Sequence, residues 1–155
     1  MKSLKNIAAA CAAVAILATP TAALAGPNGD AEALRKLDIM LMVTSLRCRT
    51  TADNFQADYQ RFSARNLTAL NAAAHTLEAN LVKKAGASGA KRTLDKISVG
   101  MANEYGNGHP WLGCGELKQI TRSLASGKNA AQLTAAADEL LSSRPRGQWA
   151  MANSR

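Results

Sequence analysis

Three sets of residues in this sequence could do chemistry, and each has the spacing for a particular kind. Cys48 lies between Arg47 and Arg49, and adjacent cations lower a thiol's pKa and favour the nucleophilic thiolate. His109 stands near Glu104, Tyr105, Trp111 and Cys114, so its loop could form a polar pocket with an aromatic wall, or an acid/base pair. Asp58, Arg61 and Arg65 are three and four residues apart on one helical face. Guanidinium groups placed there could receive a carboxylate or a phosphate, because arginine binds both bidentately.

Each set also has a plainer use. A nucleophilic cysteine must stay reduced, and the cysteine arithmetic argues for oxidation. Cys11 falls in an N-terminal leader, which leaves Cys48 and Cys114 in the mature chain. Two cysteines in an oxidising compartment pair. Trp111 can plug the end of a helical bundle while the neighbouring glycines turn the chain, and a mixed acidic and basic helical face is ordinarily solvated. His75 reads as a surface or boundary histidine in mid-helix. Met40 and Met42 cannot chelate a metal together, because residues two apart on a helix point to opposite faces, so core packing is the expected role. No Cys-x-x-Cys, Cys-x-x-Cys-His, Ser-His-Asp order, glycine-rich phosphate loop or zinc spacing occurs. We therefore expect no catalytic residue, no metal and no cofactor.

The elements that must hold these residues begin with a leader. Lys2 and Lys5 form a positive n-region, Ile7 to Leu17 an uncharged h-region, and Ala23-Leu24-Ala25 a small-residue cleavage site. The apolar run is too short to span a bilayer, which takes roughly 20 residues. Cleavage after Ala25 would leave no transmembrane segment and deliver the chain to the periplasm or the exterior. The whole-chain charge is +8, and loss of Lys2 and Lys5 leaves about +6. Outside the cytoplasm such a charge suits an anionic envelope component or another exported protein, not nucleic acid.

The expected domains are the leader 1–25, a helical domain 26–143 and a mobile tail 144–155. Aromatic residues make up 4% of the chain, and alanine is abundant, which favours close-packed helices over sheet. Apolar periodicity predicts an all-α bundle of about five helices stapled by one disulfide, Cys48–Cys114. The first helix runs from Asp30 to Thr50 on Leu34, Leu37, Leu41 and Cys48. A capping box at Asp53 and Gln56 opens the second, about 54–85, whose stripe of Phe55, Tyr59, Phe62, Leu70, Ala73, Leu77 and Leu81 is interrupted at Asn66. Gly86 suits a left-handed C-terminal cap. A third helix follows from Gly89 to Tyr105 and stops at Gly106-Asn107-Gly108. The fourth carries Leu117, Ile120 and Leu124 and ends at Gly127. The fifth opens with a capping box at Asn129 and Gln132 and closes by Pro145. Short connections make successive helices antiparallel, which brings Cys48 and Cys114 to the same end.

The run Leu37-Asp38-Ile39-Met40-Leu41-Met42-Val43-Thr44-Ser45-Leu46-Arg47-Cys48-Arg49 resembles a group of small, uncharacterised exported proteins of Gram-negative bacteria. So do Asp53 to Tyr59, Phe62-Ser63, Leu70-Asn71 and Ala102 to Gly106 before Cys114, so that the resemblance covers most of the mature chain. It implies export and a two-cysteine helical domain. Some members of the group carry an S-adenosyl-L-homocysteine hydrolase label, an activity that requires NAD and a dinucleotide-binding fold. This sequence has no strand-Gly-x-Gly-x-x-Gly-helix unit, so no catalytic residue is carried over.

The function expected is a non-enzymatic binding or interaction module of the cell envelope. Its candidate surface comprises Arg47, Arg49, Arg61, Arg65, Glu104, His109 and Trp111. The alternative is a small enzyme or ligand-binding protein that uses the His109 and Trp111 loop.

Overall fold

Residues 27–142 are described in the computed structural model. The expected leader, the tail from 144 and Pro145 lie outside them. Five helices form α1 (Pro27–Arg47), α2 (Gln56–Arg65), α3 (Leu67–Tyr105), α4 (Cys114–Ala125) and α5 (Ala130–Leu140), with no strand among the described residues. The all-α bundle with one cystine is the observed architecture.

The first helix occupies the middle of the bundle, because it packs against each of the other four. Its sequence explains why. Leu34, Leu37 and Leu41 make one apolar stripe, but Ile39, Met40 and Leu41 are consecutive and all buried, which spans more than half of the helix circumference. A helix apolar on most sides must be covered on most sides. The polar residues caught in this environment satisfy themselves locally: the Thr44 hydroxyl donates to the Met40 carbonyl (2.7 Å), and the Ser45 hydroxyl donates to the Met42 carbonyl (2.8 Å). Met40 is fully buried, as a core residue should be. Its neighbour Met42 is 39% exposed, so core packing holds for one of the two methionines alone.

The expected stripes of the remaining helices also face inward. Phe55, Phe62, Ala73 and Leu77 are buried, with Tyr59, Leu70 and Leu81 partly so; Leu117, Ile120 and Leu124 bury one face of α4, and Leu133, Ala137 and Leu140 one face of α5. Burying each leucine or phenylalanine is worth about 1.5–3 kcal/mol, so these stripes supply the main driving force for collapse.

The first helix begins and ends three residues earlier than expected, at Pro27 and Arg47, and three further boundaries differ for local reasons. Asp53 does not cap the second helix. Phe55 holds the N-cap position without a side-chain cap bond; the Asn54 side-chain oxygen accepts from the Gln56 N–H at 3.0 Å, while Asp53 turns towards Lys118 of α4. The expected helix from 54 to 85 breaks at Asn66. The Asn66 side chain is buried and its amide donates both to the Phe62 carbonyl (2.9 Å) and to the Leu124 carbonyl (3.2 Å). That amide ties the end of α2 to the end of α4, a non-helical alternative that asparagine readily offers the backbone.

The third difference is at Gly86, which breaks the helix as expected but not as a left-handed cap. Its φ of 68° and ψ of 172° lie in a region open essentially to glycine, and helical geometry resumes at once on the far side. The later part of the expected second helix and the expected third helix are therefore joined in α3, and Gly86 is the elbow between them. A Cβ built on Gly89 would lie 2.6 Å from the Ala85 Cβ, so the chain folds tightly across this point. The capping box of Asn129 and Gln132 forms as expected, with bonds of 2.9 and 3.1 Å.

The Gly86 conformation yields a direct expectation. Nothing stands within 4 Å of a Cβ at this position, so Gly86→Ala meets backbone strain with no clash. We expect a loss of about 1–3 kcal/mol in urea denaturation. An unchanged midpoint would show that the elbow does not hold this geometry.

Candidate functional site

The cystine end is built from the turn after α1 and the start of α4. Cys48 and Cys114 are joined, with their Cα atoms 5.8 Å apart. Both sulfurs being in the bond, Cys48 has no thiolate to offer, and Arg47 and Arg49 lie exposed on either side of it. Around the bond, Lys118 approaches Asp53 at 3.7 Å and the Ala52 carbonyl at 3.5 Å. Gly115 has a role in this contact, because a Cβ there would stand 3.2 Å from the Asp53 carboxylate. The Glu116 carboxylate accepts from the Gly113 N–H at 2.7 Å, which satisfies one of the free donors at the start of α4.

His109 and Trp111 are held by the end of α5. His109 is 9% exposed and its Nε2 lies 2.9 Å from the Leu140 carbonyl. A carbonyl can only accept, so Nε2 carries the proton and Nδ1 is left to accept the Trp111 N–H at 3.4 Å. The partners thus assign the neutral Nε2–H tautomer. The Trp111 indole N–H donates to the Ser142 carbonyl at 3.2 Å, and the two rings meet edge to face with centroids 4.7 Å apart. Tyr105 closes the other side of the imidazole at 5.3 Å.

Burial lowers the His109 pKa, opposed by the hydrogen bond to Leu140 and by the charges of Glu104 and Glu116. Burial raises the pKa of Tyr105, and the charge and hydrogen bond of Glu104 raise it further. The loop is therefore a bolt between the cystine and α5, with both imidazole nitrogens engaged by backbone. Glu104 itself is exposed and joins Lys36, Lys96, Ile97 and Met101 along an open groove of about 310 Å³ between α1 and the second half of α3.

Arg61 and Arg65 separate in role. Asp58 is almost wholly buried, and one of its oxygens receives both the Arg61 guanidinium and the Arg122 Nε, the latter at 3.0 Å. Arg61 is thus tied into a three-residue clamp joining α2 to α4, while Arg65 lies exposed in the last turn of α2. A second, partly buried carboxylate joins α1 to α2: Asp38 accepts from the Tyr59 hydroxyl at 3.1 Å and pairs with Arg35 at 3.6 Å. Burial raises the Asp38 pKa, against the opposing effects of Tyr59 and Arg35, and burial followed by the Asp38 charge raises that of Tyr59.

The sequence reading placed no role on Arg122, Lys118 or Asp38. For the carboxylates a signal was present. Asp58 lies three residues after Phe55 and four before Phe62, and Asp38 four after Leu34 and three before Leu41. An acid inside an apolar stripe needs a partner at the seam it faces. His75 is exposed, as expected. Among the described residues no group of three or more histidine, cysteine or acidic side chains is placed to hold a metal ion, and no helix is long and apolar enough to cross a membrane.

Fold and site together define a small protein, all-helical among the described residues, in which Cys48 and Cys114 are joined and the cations lie largely at the surface. No family model, curated protein or solved structure matches the chain.

The His109 assignment has a pH consequence. Its folded pKa is depressed below 6.5, so the folded state resists protonation there more than the unfolded chain does. The neutral histidine's contribution is then complete above pH 6.5 and is lost as pH falls through that value towards the lower folded pKa. Stability measured by denaturation should show this loss in the wild type and lack it in His109→Ala. The variant should also be weaker at neutral pH by about 1–3 kcal/mol, because the Leu140 carbonyl loses its donor. Parallel pH curves for the two proteins would remove the assignment.

Proposed function

We propose that this chain is an exported, non-enzymatic binding module of the bacterial envelope, and that its partner is an anionic envelope component. The observation that carries the reading is the distribution of cations on a cross-linked scaffold. Arg47, Arg49 and Arg65 stand exposed with no ion-pair partner among the described residues, and the +8 charge of the chain is not neutralised by its acids. Such a surface attracts anionic partners over a distance set by salt. His109, the one candidate general base in the cystine loop, has its nitrogens engaged by backbone, which removes support from an acid/base reading of that loop.

Location outside the cytoplasm is part of the same proposal. The cystine itself suits a non-reducing compartment. The periplasm is the finer reading, supported by the leader-like residues ahead of Gly26. Mass spectrometry of protein isolated from producing cells should find a chain starting at Gly26 with neither remaining cysteine open to alkylation. An intact leader with both thiols free would overturn export.

Binding is tested with a panel of defined polyanions at low ionic strength: phosphatidylglycerol vesicles, lipopolysaccharide and an acidic polysaccharide. We expect at least one to bind and to be released as salt rises. No binding to any of them would overturn the anionic-partner reading.

A further inference from the structure

The elbow of α3 stands apart from the rest of the bundle. From Val82 to Ser88 seven successive residues are exposed, and Gly89 and Ala90 then return to the interior. A helix lying along the body would bury at least one residue in each turn of such a stretch. The break at Gly86, with the tight approach of Gly89 to Ala85, makes this the place where α3 turns clear of the core.

The side chains at the elbow have one sign of charge. Lys83, Lys84, Lys91 and Arg92 are all exposed, and none is in an ion pair with a described residue. Asp95 lies one turn beyond Lys91 in sequence and still makes no pair with it. The guanidinium of Arg92 folds back to within 3.9 Å of where a Gly89 Cβ would stand, so it belongs to the elbow with the two lysines before the bend. Between these cations lie Ala85, Gly86, Ala87 and Ser88, too short to hold them away from a flat surface, and Val82 is 40% exposed beside them.

We propose that this elbow docks the protein on an anionic phospholipid bilayer. This deepens the function proposed above and rests on it. The chemistry favours a lipid surface in two respects. Four exposed, unpaired cations flanking one short elbow match a plane of phosphates, and the exposed Val82 can enter the interfacial layer. The elbow also lacks the aromatic side chains on which nucleic-acid bases stack.

The test uses the full mature, disulfide-bonded protein and vesicles of mixed phosphatidylglycerol and phosphatidylethanolamine. Each basic residue near an anionic surface contributes roughly a five-fold factor in partition. Joint replacement Lys83→Gln, Lys84→Gln, Lys91→Gln and Arg92→Gln should therefore weaken co-sedimentation on the order of a hundredfold or more. The charge-conserving set Lys83→Arg, Lys84→Arg and Lys91→Arg should keep it. Both variants should keep the wild-type circular dichroism and melting temperature, since the four side chains are exposed and unpaired. Wild-type binding by the glutamine variant would overturn the proposal, as would loss of binding in the arginine variant. Wild-type binding to lipopolysaccharide or polysaccharide without vesicle binding would overturn the elbow assignment and leave the function standing. Absence of binding to every polyanion would remove both.

Discussion

The covalent bond between Cys48 and Cys114 sets the frame within which the weaker interactions act. It closes a loop across 66 residues of sequence. In the chain-entropy picture that restriction of the unfolded state is worth about 4.4 kcal/mol at most, a large share of the stability of a domain this small. The bond fixes the end of α1 beside the start of α4, and the neighbouring contacts follow from that placement. Asp53 can meet Lys118 because the cystine has brought the two turns together, and Gly115 leaves room for the carboxylate. His109 and Trp111 lie just before Cys114, so the same anchor presents them to the last carbonyls of α5.

Within this frame two carboxylates, Asp58 buried and Asp38 partly buried, specify which helix faces which. Asp38 and Asp58 each occupy a position where a leucine would fit the apolar period, and each meets a hydrogen-bond donor from another helix. Tyr59 serves the first and Arg122 the second. A buried acid that loses a partner is costly, and a rotation of α2 about its axis would take Arg122 from Asp58 and Tyr59 from Asp38, leaving each with only the arginine of its own helix. Apolar residues alone would tolerate such a slip more readily. The exposed ends of Arg61 and Arg122 keep contact with water, so the clamp orients α2 against α4 without removing two guanidinium groups from solvent.

The fold was largely legible because its driving force is periodic. Apolar residues at three- and four-residue intervals identify the inward faces of the helices, and with Cys11 in the expected leader Cys48 and Cys114 leave one pairing. Boundaries were less legible where a side chain bonds across the bundle. Asn66 looks like an interruption in the stripe, but its second partner, the Leu124 carbonyl, lies 58 residues away. Asp53 fits a capping box locally and is drawn instead to Lys118, 65 positions further along the chain. The His109 loop was identified as a unit, but its use as a bolt depends on α5 ending beside it, which no local pattern encodes. The acids inside apolar stripes gave the best available signal of the seams, though not of the partners across them.

The positive charge of the chain divides along the same lines. Arg35, Arg61, Lys118 and Arg122 each have a carboxylate at a helix seam or beside the cystine, and Lys36 pairs with Glu32 along α1. Those cations are part of how the bundle is assembled, and a partner would have to displace an internal ion pair to use them. The cations of the elbow have no such tie. The unpaired cations, those of the elbow together with Arg47, Arg49 and Arg65, place the excess charge where folding does not require it. That separation lets an external anion be bound there without competing with the contacts that hold the helices together.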